Sequence, residues 1–358
     1  MKLNDFSLSA RITAGALTTV IVVVATLMYV GNARDRDVYL SEQRANLEEA
    51  LNAEELHLNQ TINTLRQDVL FLSNTPPVSG IVRAALNHGY DPRYGNTHKV
   101  WAERMQQIFS AFSRAHPSYY KIRFIGVADG GREIVRTDNR GDGIEITPPD
   151  RLQAKGDRDY FKATLGLHKG QVYLSKFNLN REWGVIEKPY WPTFRATTPV
   201  FAPSGEIFGM VMISTDAKDL LVPPKFGFSS NIQTYITNSE GQYLLHPDPQ
   251  RVFTFELGSK DNIVVDFPGL KKIFSPQAEN FLPMQVVATS NGSQYMAARR
   301  VHFDHGDPSR FLLLGYAIPI FYTKLKISIA TQSVSGDASS LGTTGERARR
   351  ACASRFRR

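Results

Sequence analysis

The chain has 358 residues with a hydrophobic content of 42% and a charged content of 21%, which is ordinary for a folded protein and leaves room for two compact domains. Its single cysteine, Cys352, excludes an intrachain disulfide and a cysteine-based metal cage. Five of the eight net positive charges come from the tail 345–358, so the rest of the chain is close to neutral, and without a basic face on a folded element we predict no nucleic-acid binding.

An uncharged, mostly apolar run at 12–31 is long enough to cross a bilayer as a helix. The alternative is a cleaved signal peptide, with Gly31-Asn32-Ala33 as the cleavage site. The run is longer than the usual signal core and a helical pattern continues from it, so we predict an uncleaved anchor. Basic residues are nearly balanced across its flanks and leave the orientation undecided. The short flank 1–11 favours a cytoplasmic N-terminus and an exported body.

Residues 33–73 have the pattern of one long stalk helix. Apolar residues recur at alternating steps of four and three, as in a coiled-coil seam: Leu58, Ile62, Leu65, Val69 and Leu72. Two interpretations are open, and they can hold together. The seam packs on the chain's own domains, or the helix also forms a homodimer contact. Asn74-Thr-Pro-Pro77 ends the helix.

Two units of similar design follow, which we delimit as 74–222 and 223–322. Each has a hairpin with an Asp/Asn-then-Gly turn, an intervening excursion and a closing hairpin, so we predict an internal repeat of an α+β module. The first unit has helices predicted over 80–86 and 100–115, and strands over 119–128, 132–137, 195–201 and 208–214. The second has strands predicted over 234–237, 242–246, 294–302 and 310–317. Residues 323–358 lack apolar periodicity and predict a disordered basic tail, which a truncated or frameshifted reading frame would explain.

The polar, aromatic-rich stretch 178–192 is too long to be a simple connector, and long loops on a rigid sheet often bind ligands. Arg158 and Arg195 suit a carboxylate or phosphate. The alternative for these arginines is a salt bridge to Glu182, Glu187 or Asp159.

Several aromatic residues either wall a pocket or fill the core: Tyr160, Tyr173, Tyr190 and Trp191. Tyr120 and Arg123 lie on opposite faces of the first strand if its pleat is regular, so one of them is expected to reach the same cavity.

The sequence contains no Gly-x-Ser-x-Gly elbow, no phosphate-binding loop and no His-Glu-x-x-His motif. His302, Asp304, His305 and Asp307 could hold a metal, but such residues are also typical of a hairpin turn. We therefore predict no catalytic residue, no cofactor and no metal. A secreted hydrolase stays open as an alternative, as does a structural module that docks a partner without a ligand.

The anchor, the stalk and the two hairpin modules resemble the double Cache sensor region of bacterial transmembrane receptors, which include histidine kinases, diguanylate cyclases and chemoreceptors. The likeness is carried by Asp129-Gly-Gly-Arg-Glu-Ile-Val-Arg136, Arg158-Asp-Tyr-Phe161, Leu179-Asn-Arg-Glu182, Pro199-Val-Phe201, the run 205–213, and Ile236-Thr-Asn-Ser-Glu-Gly-Gln-Tyr-Leu-Leu-His-Pro247. It implies an α+β fold with two PAS-like modules in tandem, in a single-pass protein of the bacterial inner membrane whose body lies in the periplasm. It also implies that the output domain of such a receptor is missing here.

The resemblance further implies that a small molecule binds the membrane-distal module and shifts the stalk helix. Arg158 stands in the place of the ligand-binding arginine, with Tyr160 and Phe161 in the aromatic places. Ser214 aligns with the aspartate of the amino-acid-binding members, and Asp216 lies nearby but out of register. Because the natural partner of an α-ammonium group is lost, we expect a small anionic organic ligand rather than an amino acid.

Overall fold

The computed structural model describes residues 8–222, 232–289, 292–304 and 306–320. One helix, α1 (Leu8–Ser73), includes both the apolar segment and the stalk and ends where the sequence predicts. Among the described residues it is the one helix long and apolar enough to cross a membrane. Its apolar side chains from Val20 to Val24 are exposed, as expected of a surface that faces lipid.

The stalk half of α1 packs on the chain's own sheets. The seam is buried throughout: Leu51, Leu58, Ile62, Leu65, Val69 and Leu72. These side chains share one hydrophobic core with Phe124 of the first sheet and Leu314 of the second. Packing on the chain's own domains is therefore confirmed, whereas the homodimer contact stays a prediction.

The main elements of the first module are three further helices and six strands. The helices are α2 (Pro76–Leu86), α3 (His98–Ala115) and α4 (Asp159–Leu165). The strands are β1 (Tyr119–Gly126), β2 (Glu133–Asn139), β3 (Ile144–Ile146), β4 (Tyr173–Leu174), β5 (Pro192–Phe201) and β6 (Ile207–Asp216). They form an antiparallel sheet in the order β3-β2-β1-β6-β5-β4, and the short strand Asn178–Leu179 also pairs with β5.

This sheet has an apolar face and a charged face, because side chains alternate along each strand. Ile122 and Phe124 of β1 join the core shared with the stalk. Lys121 and Arg123, at the alternate positions, point to the other face and are also buried. Arg195 of β5 lies on that charged face, in the same cross-strand row as Lys121.

The second module has five strands: β7 (Gln233–Thr237), β8 (Tyr243–Leu245), β9 (Phe281–Thr289), β10 (Gly292–His302) and β11 (Phe311–Pro319). Their order is β8-β7-β11-β10-β9. The two sheets have the same topology once the edge strand β3 is left out. If the remaining strands of each module are numbered along the chain, their order across the sheet is second, first, fifth, fourth, third. The predicted α+β fold with two sheet modules is therefore confirmed. Strand β9 was not predicted, because Pro283 interrupts a run whose side chains are mostly half-buried or exposed.

Three predictions fall wholly or partly outside the described residues. The predicted boundary between the modules adjoins 223–231, the predicted tail lies within 321–358, and His305 of the candidate metal cluster is also outside.

Candidate ligand-binding site

Arg195 is a buried cation whose hydrogen-bond partners are neutral. Its side chain is on the charged face of the first sheet, and the residue is only 2% exposed. Nη1 donates to Oδ1 of Asn178 at 2.7 Å and Nη2 donates to Oδ1 of Asn180 at 3.0 Å. Nε has no hydrogen-bond partner among the described residues. Burial lowers the pKa of Arg195.

The alternative of a salt bridge from Arg195 to Glu182, Glu187 or Asp159 is therefore wrong, since the two asparagine oxygens occupy its Nη groups instead. A guanidinium removed from water without a carboxylate partner is expensive. It is a ready partner for an incoming anion.

A cavity of about 620 Å³ opens beside Arg195, between the two modules. Tyr160, Tyr173 and Asn178 line it from the first module, and Arg310 is among the residues that line it from the second. The Arg310 guanidinium lies 5.5 Å from the centre of the Tyr173 ring. The cavity is therefore shared between the two modules and is not enclosed by the first module alone.

Helix α4 places its two aromatic candidates in different surroundings. The Arg195 guanidinium lies over the Tyr160 ring, 5.6 Å from its centre. Both rings belong to a small core with Ile125 and Met210, but only Tyr160 also lines the cavity. The fold therefore brings Tyr160 and Tyr173 to Arg195, whereas Phe161 has a packing role.

Arg158 is half-buried at the N-terminus of α4, but it lines a different groove of about 250 Å³. That groove is shared with Lys155 and Trp183. Of the two candidate arginines, only Arg195 lines the larger cavity.

The expectation that Tyr120 and Arg123 face opposite ways is wrong. The pairing of β1 with β6 shifts register between Ser214 and Thr215, and this bulge turns Tyr120 to the charged face. Its hydroxyl shares a 2.6 Å hydrogen bond with the hydroxyl of Thr193. Burial is the main cause that raises the pKa of Tyr120 to about 12. Both Tyr120 and Arg123 therefore belong to the charged face.

The other two aromatic candidates lie at the edge of this region. Trp191 is half-buried against Tyr120, with ring centres 5.2 Å apart, and Tyr190 is largely exposed. Ser214, which aligns with the aspartate of amino-acid-binding relatives, is fully buried opposite Arg195 on β6. Its hydroxyl has no hydrogen-bond partner among the described residues.

Glu182 lies at the centre of a cluster of four cations. Its Oε1 accepts from Lys121 Nζ at 2.6 Å and from Arg123 Nη2 at 2.9 Å. Its Oε2 accepts from Lys155 Nζ at 3.1 Å and from Arg136 Nη1 at 3.3 Å. Burial opposes ionisation, but the four cations, led by Arg123, hold the pKa of Glu182 far below its usual range.

Two carboxylates of β2 complete this cluster. Glu133 Oε1 lies 2.8 Å from Arg123 Nε, and Asp138 pairs with Arg136 through two hydrogen bonds of 2.6 and 2.9 Å. Burial lowers the pKa of Lys155 to about 8. Glu187 lies 3.7 Å from Lys121, and its side chain is about as buried as that of Glu182. On this face, five buried cations (the four around Glu182, and Arg195) therefore stand against four carboxylates, an excess of one positive charge.

Sequence reasoning missed most of this cluster: Lys121, Glu133, Arg136, Asp138 and Lys155 were not candidates. A signal was present. In both Lys121-Ile-Arg123 and Arg136-Thr-Asp138 the charges occupy alternate positions of strands predicted to lie inside the module. Charges at that period in a central strand indicate a buried polar face.

Residues 96–273 match the family model of the bacterial histidine kinase sensor domain. This segment is therefore similar to the sensor domains of that family. No curated protein matches the chain. The family is one of sensing regions and indicates no catalytic domain, as the sequence predicts.

Solved structures with the same fold are also sensory. The extracellular domain of vpHK1S-Z8, assigned as a histidine kinase, is 17% identical to this chain with a TM-score of 0.62. The alignment covers 82% of this chain and 96% of that domain. A domain assigned to the sensory box/GGDEF family, from Vibrio parahaemolyticus, is 17% identical with a TM-score of 0.60, covering 81% and 99%. The extracellular domain of soHK1S-Z6, also assigned as a histidine kinase, is 12% identical with a TM-score of 0.54, covering 80% and 99%. At these identities the likeness shows the fold.

The predicted metal candidates lie in a hairpin turn of the second module. Among the described residues, no group of three His, Cys, Asp or Glu side chains could hold a metal ion. Asp304 pairs with Arg310, Asp307 accepts from the Ser309 hydroxyl at 2.6 Å, and His302 contacts Asn280. These contacts are those of an ordinary polar turn.

Proposed function

We propose that the chain is the sensing part of a bacterial membrane receptor and that its cavity binds a small organic anion through Arg195. The supporting observation is the Arg195 guanidinium itself, which is buried, bonded only to asparagine oxygens and still has an unpaired Nε. An incoming carboxylate would gain charge-assisted hydrogen bonds there without first breaking an ion pair. Tyr160 and Tyr173 supply the apolar walls that ligand sites commonly have.

The signal would be relayed through the stalk helix, because α1 contacts both modules. Tyr119 of the first module donates to Asp68 of the stalk at 2.6 Å. On the side of the second module, Arg66 of the stalk donates to the carbonyl of Phe303 at 2.6 Å, and Arg299 pairs with Glu55 at 2.8 Å. A ligand that closes the cavity between the modules favours one arrangement of these stalk contacts over another.

In this proposal the N-terminal part of α1 anchors the protein in the bacterial inner membrane, and both modules lie in the periplasm. The family match to a sensor domain and the exposed apolar helix support that placement. A homodimer through the exposed side of the stalk, where Leu56 and Phe71 face solvent, is part of the same proposal.

The test is a thermal-shift screen of the full chain in detergent with carboxylates and with their uncharged amides. Butyrate and butyramide are a matched pair. A ligand present at about 100 times its dissociation constant stabilises the folded state by about 2.7 kcal/mol, which is readily measured. We expect the rise in Tm with the carboxylate, not the amide, and we expect Arg195→Gln to abolish it.

Arg114→Gln is the control, since Arg114 is exposed on α3. It should keep the full response to the carboxylate. A full response in Arg195→Gln, or an equal response to butyramide, would reject the proposal.

A further inference from the structure

The segment 178–187, which we call the strap, contacts the charged face of the first sheet. It supplies both neutral partners of Arg195, namely Asn178 and Asn180, and it supplies the carboxylate of Glu182. Asn180 joins the two regions, because its Oδ1 accepts from Arg195 and its Nδ2 donates to Glu182 Oε1 at 3.2 Å. A ligand that displaced the strap would therefore meet Arg195 and the cation cluster side by side.

Leu179 holds the start of the strap in the main hydrophobic core and pairs with Pro192 of β5, whereas the rest of the strap is attached mainly by polar contacts. Its hairpin, Arg181–Glu182 with Val185–Ile186, is a separate two-stranded sheet. The bulky side chains at its tip are solvent-exposed, Trp183 by 71% and Val185 by 67%. Ile186 is partly buried, and Arg181 pairs with Glu256 of the second module at 2.9 Å. An anion in solution can replace contacts of this polar kind, whereas it could not replace a packed apolar anchor.

The surface beneath the strap is strongly basic. Without the two carboxylates of the strap, Glu182 and Glu187, five buried cations would stand against Glu133 and Asp138 alone, an excess of three positive charges. Glu182 and Glu187 together lower that excess to one, and Glu182 does so by placing each of its oxygens between two cations. Its position is that of a bound carboxylate, held by the chain itself.

We propose that Lys121, Arg123, Arg136 and Lys155 form a second anion subsite and that Glu182 is its resident occupant. The ligand class is then a molecule with two acidic groups: one pairs with Arg195 while the other displaces Glu182 and opens the strap. This inference rests on the proposed function of the Arg195 cavity and specifies its ligand. The competing account is a permanent ion-pair network that ligands never enter.

The first experiment removes the resident occupant. Glu182→Gln removes the carboxylate that all four cations share. We measure inorganic phosphate binding to the full chain in detergent by calorimetry at constant ionic strength. If the subsite is free in a tenth or less of wild-type molecules, the variant binds phosphate about tenfold or more tightly. Glu145→Gln is the control, because Glu145 is an exposed carboxylate on the same sheet. Adding Lys155→Gln to Glu182→Gln should reverse the gain.

Equal phosphate affinity in the wild type and in folded Glu182→Gln, or a gain that Lys155→Gln leaves intact, would overturn the second subsite. A second measurement uses the wild type and does not depend on the variant folding. Succinate, with two carboxylates, should bind more tightly than butyrate and change the fluorescence of Trp183, a signal identified by its loss in Trp183→Phe. Equal affinities with no change in that signal would also overturn the proposal.

The two proposals fail separately. Arg195→Gln tests the cavity with butyrate, whereas Glu182→Gln tests the subsite with phosphate. If Arg195→Gln binds butyrate normally and Glu182→Gln gains phosphate affinity, the second subsite stands and the cavity assignment falls. If butyrate binding is lost but phosphate affinity is unchanged, the cavity assignment stands and the displacement of Glu182 falls.

Discussion

Glu54 of the stalk and Tyr316 of β11 are buried near each other where α1 meets the second sheet. The two carboxylate oxygens of Glu54 and the hydroxyl of Tyr316 have no hydrogen-bond partner among the described residues. Burial raises the pKa of Glu54 to about 7. Burial, and then the charge of Glu54, raise the pKa of Tyr316. The stalk therefore docks on the second module most favourably when Glu54 carries a proton.

This arrangement predicts a pH-dependent stability. The folded state keeps the Glu54 proton up to about pH 7, whereas the unfolded state loses it near 4.5, so the free energy of unfolding should fall as pH rises through that interval. The full effect is about 3 kcal/mol. Glu54→Gln, which is neutral at every pH, should flatten this part of the profile in guanidinium denaturation of the full chain. Glu49→Gln, at an exposed stalk position, should leave it unchanged. Parallel profiles for Glu54→Gln and the wild type would refute the assignment.

The stalk seam predicts a second contrast in stability. Leu58 is fully buried against both sheets, whereas Leu56, two residues earlier, is 58% exposed. Leu58→Ala should lower the free energy of unfolding by about 2–5 kcal/mol, because it leaves a cavity in the shared core. Leu56→Ala should change it by about 0.5 kcal/mol or less. Equal effects of the two variants in denaturant titrations would show that the seam does not carry the packing described.

The turn between β1 and β2 positions the loop that bears Lys155. Lys155 N donates to Gly131 O at 2.9 Å, and a Cβ at Gly131, where φ is +78°, would lie 2.7 Å from Gly156 N. Gly141 also has a positive φ, of +93°, but open space around it. Gly141→Ala should cost about 1–2 kcal/mol from φ alone.

Gly131→Ala should cost about 1–3 kcal/mol more, because the loop must move. Thermal unfolding of the two variants measures the difference directly. Similar losses in both would mean that the close approach of the two chain segments is unimportant.

The sequence was informative about the fold wherever apolar residues recur at a clear period. The structure contains the strands predicted over 195–201 and 208–214, the helix predicted over 100–115 and the helix predicted from the apolar run at 12–31. Strand β9 lacks such a period, since few of its side chains are buried. Its existence depends on pairing with β10, which no local pattern records.

The site was less accessible to sequence reasoning because its geometry depends on contacts between distant segments. Arg195 could be predicted to point inward from its place in a strand. Its asparagine partners could not, because the strap reaches it only in the folded chain. The turn of Tyr120 depends on a bulge opposite Ser214 and Thr215, and the one-residue offset has no marker in either strand.

The most direct test of the account follows the Nε–H signal of Arg195 in ¹⁵N-labelled full-length protein in detergent, with the signal assigned by its loss in Arg195→Lys. Nε is the one guanidinium nitrogen of Arg195 without a partner among the described residues. We predict that this signal shifts saturably when butyrate or succinate is added, in step with the rise in Tm. A saturable rise in Tm with the Arg195 signal unmoved would place the ligand elsewhere and contradict the account.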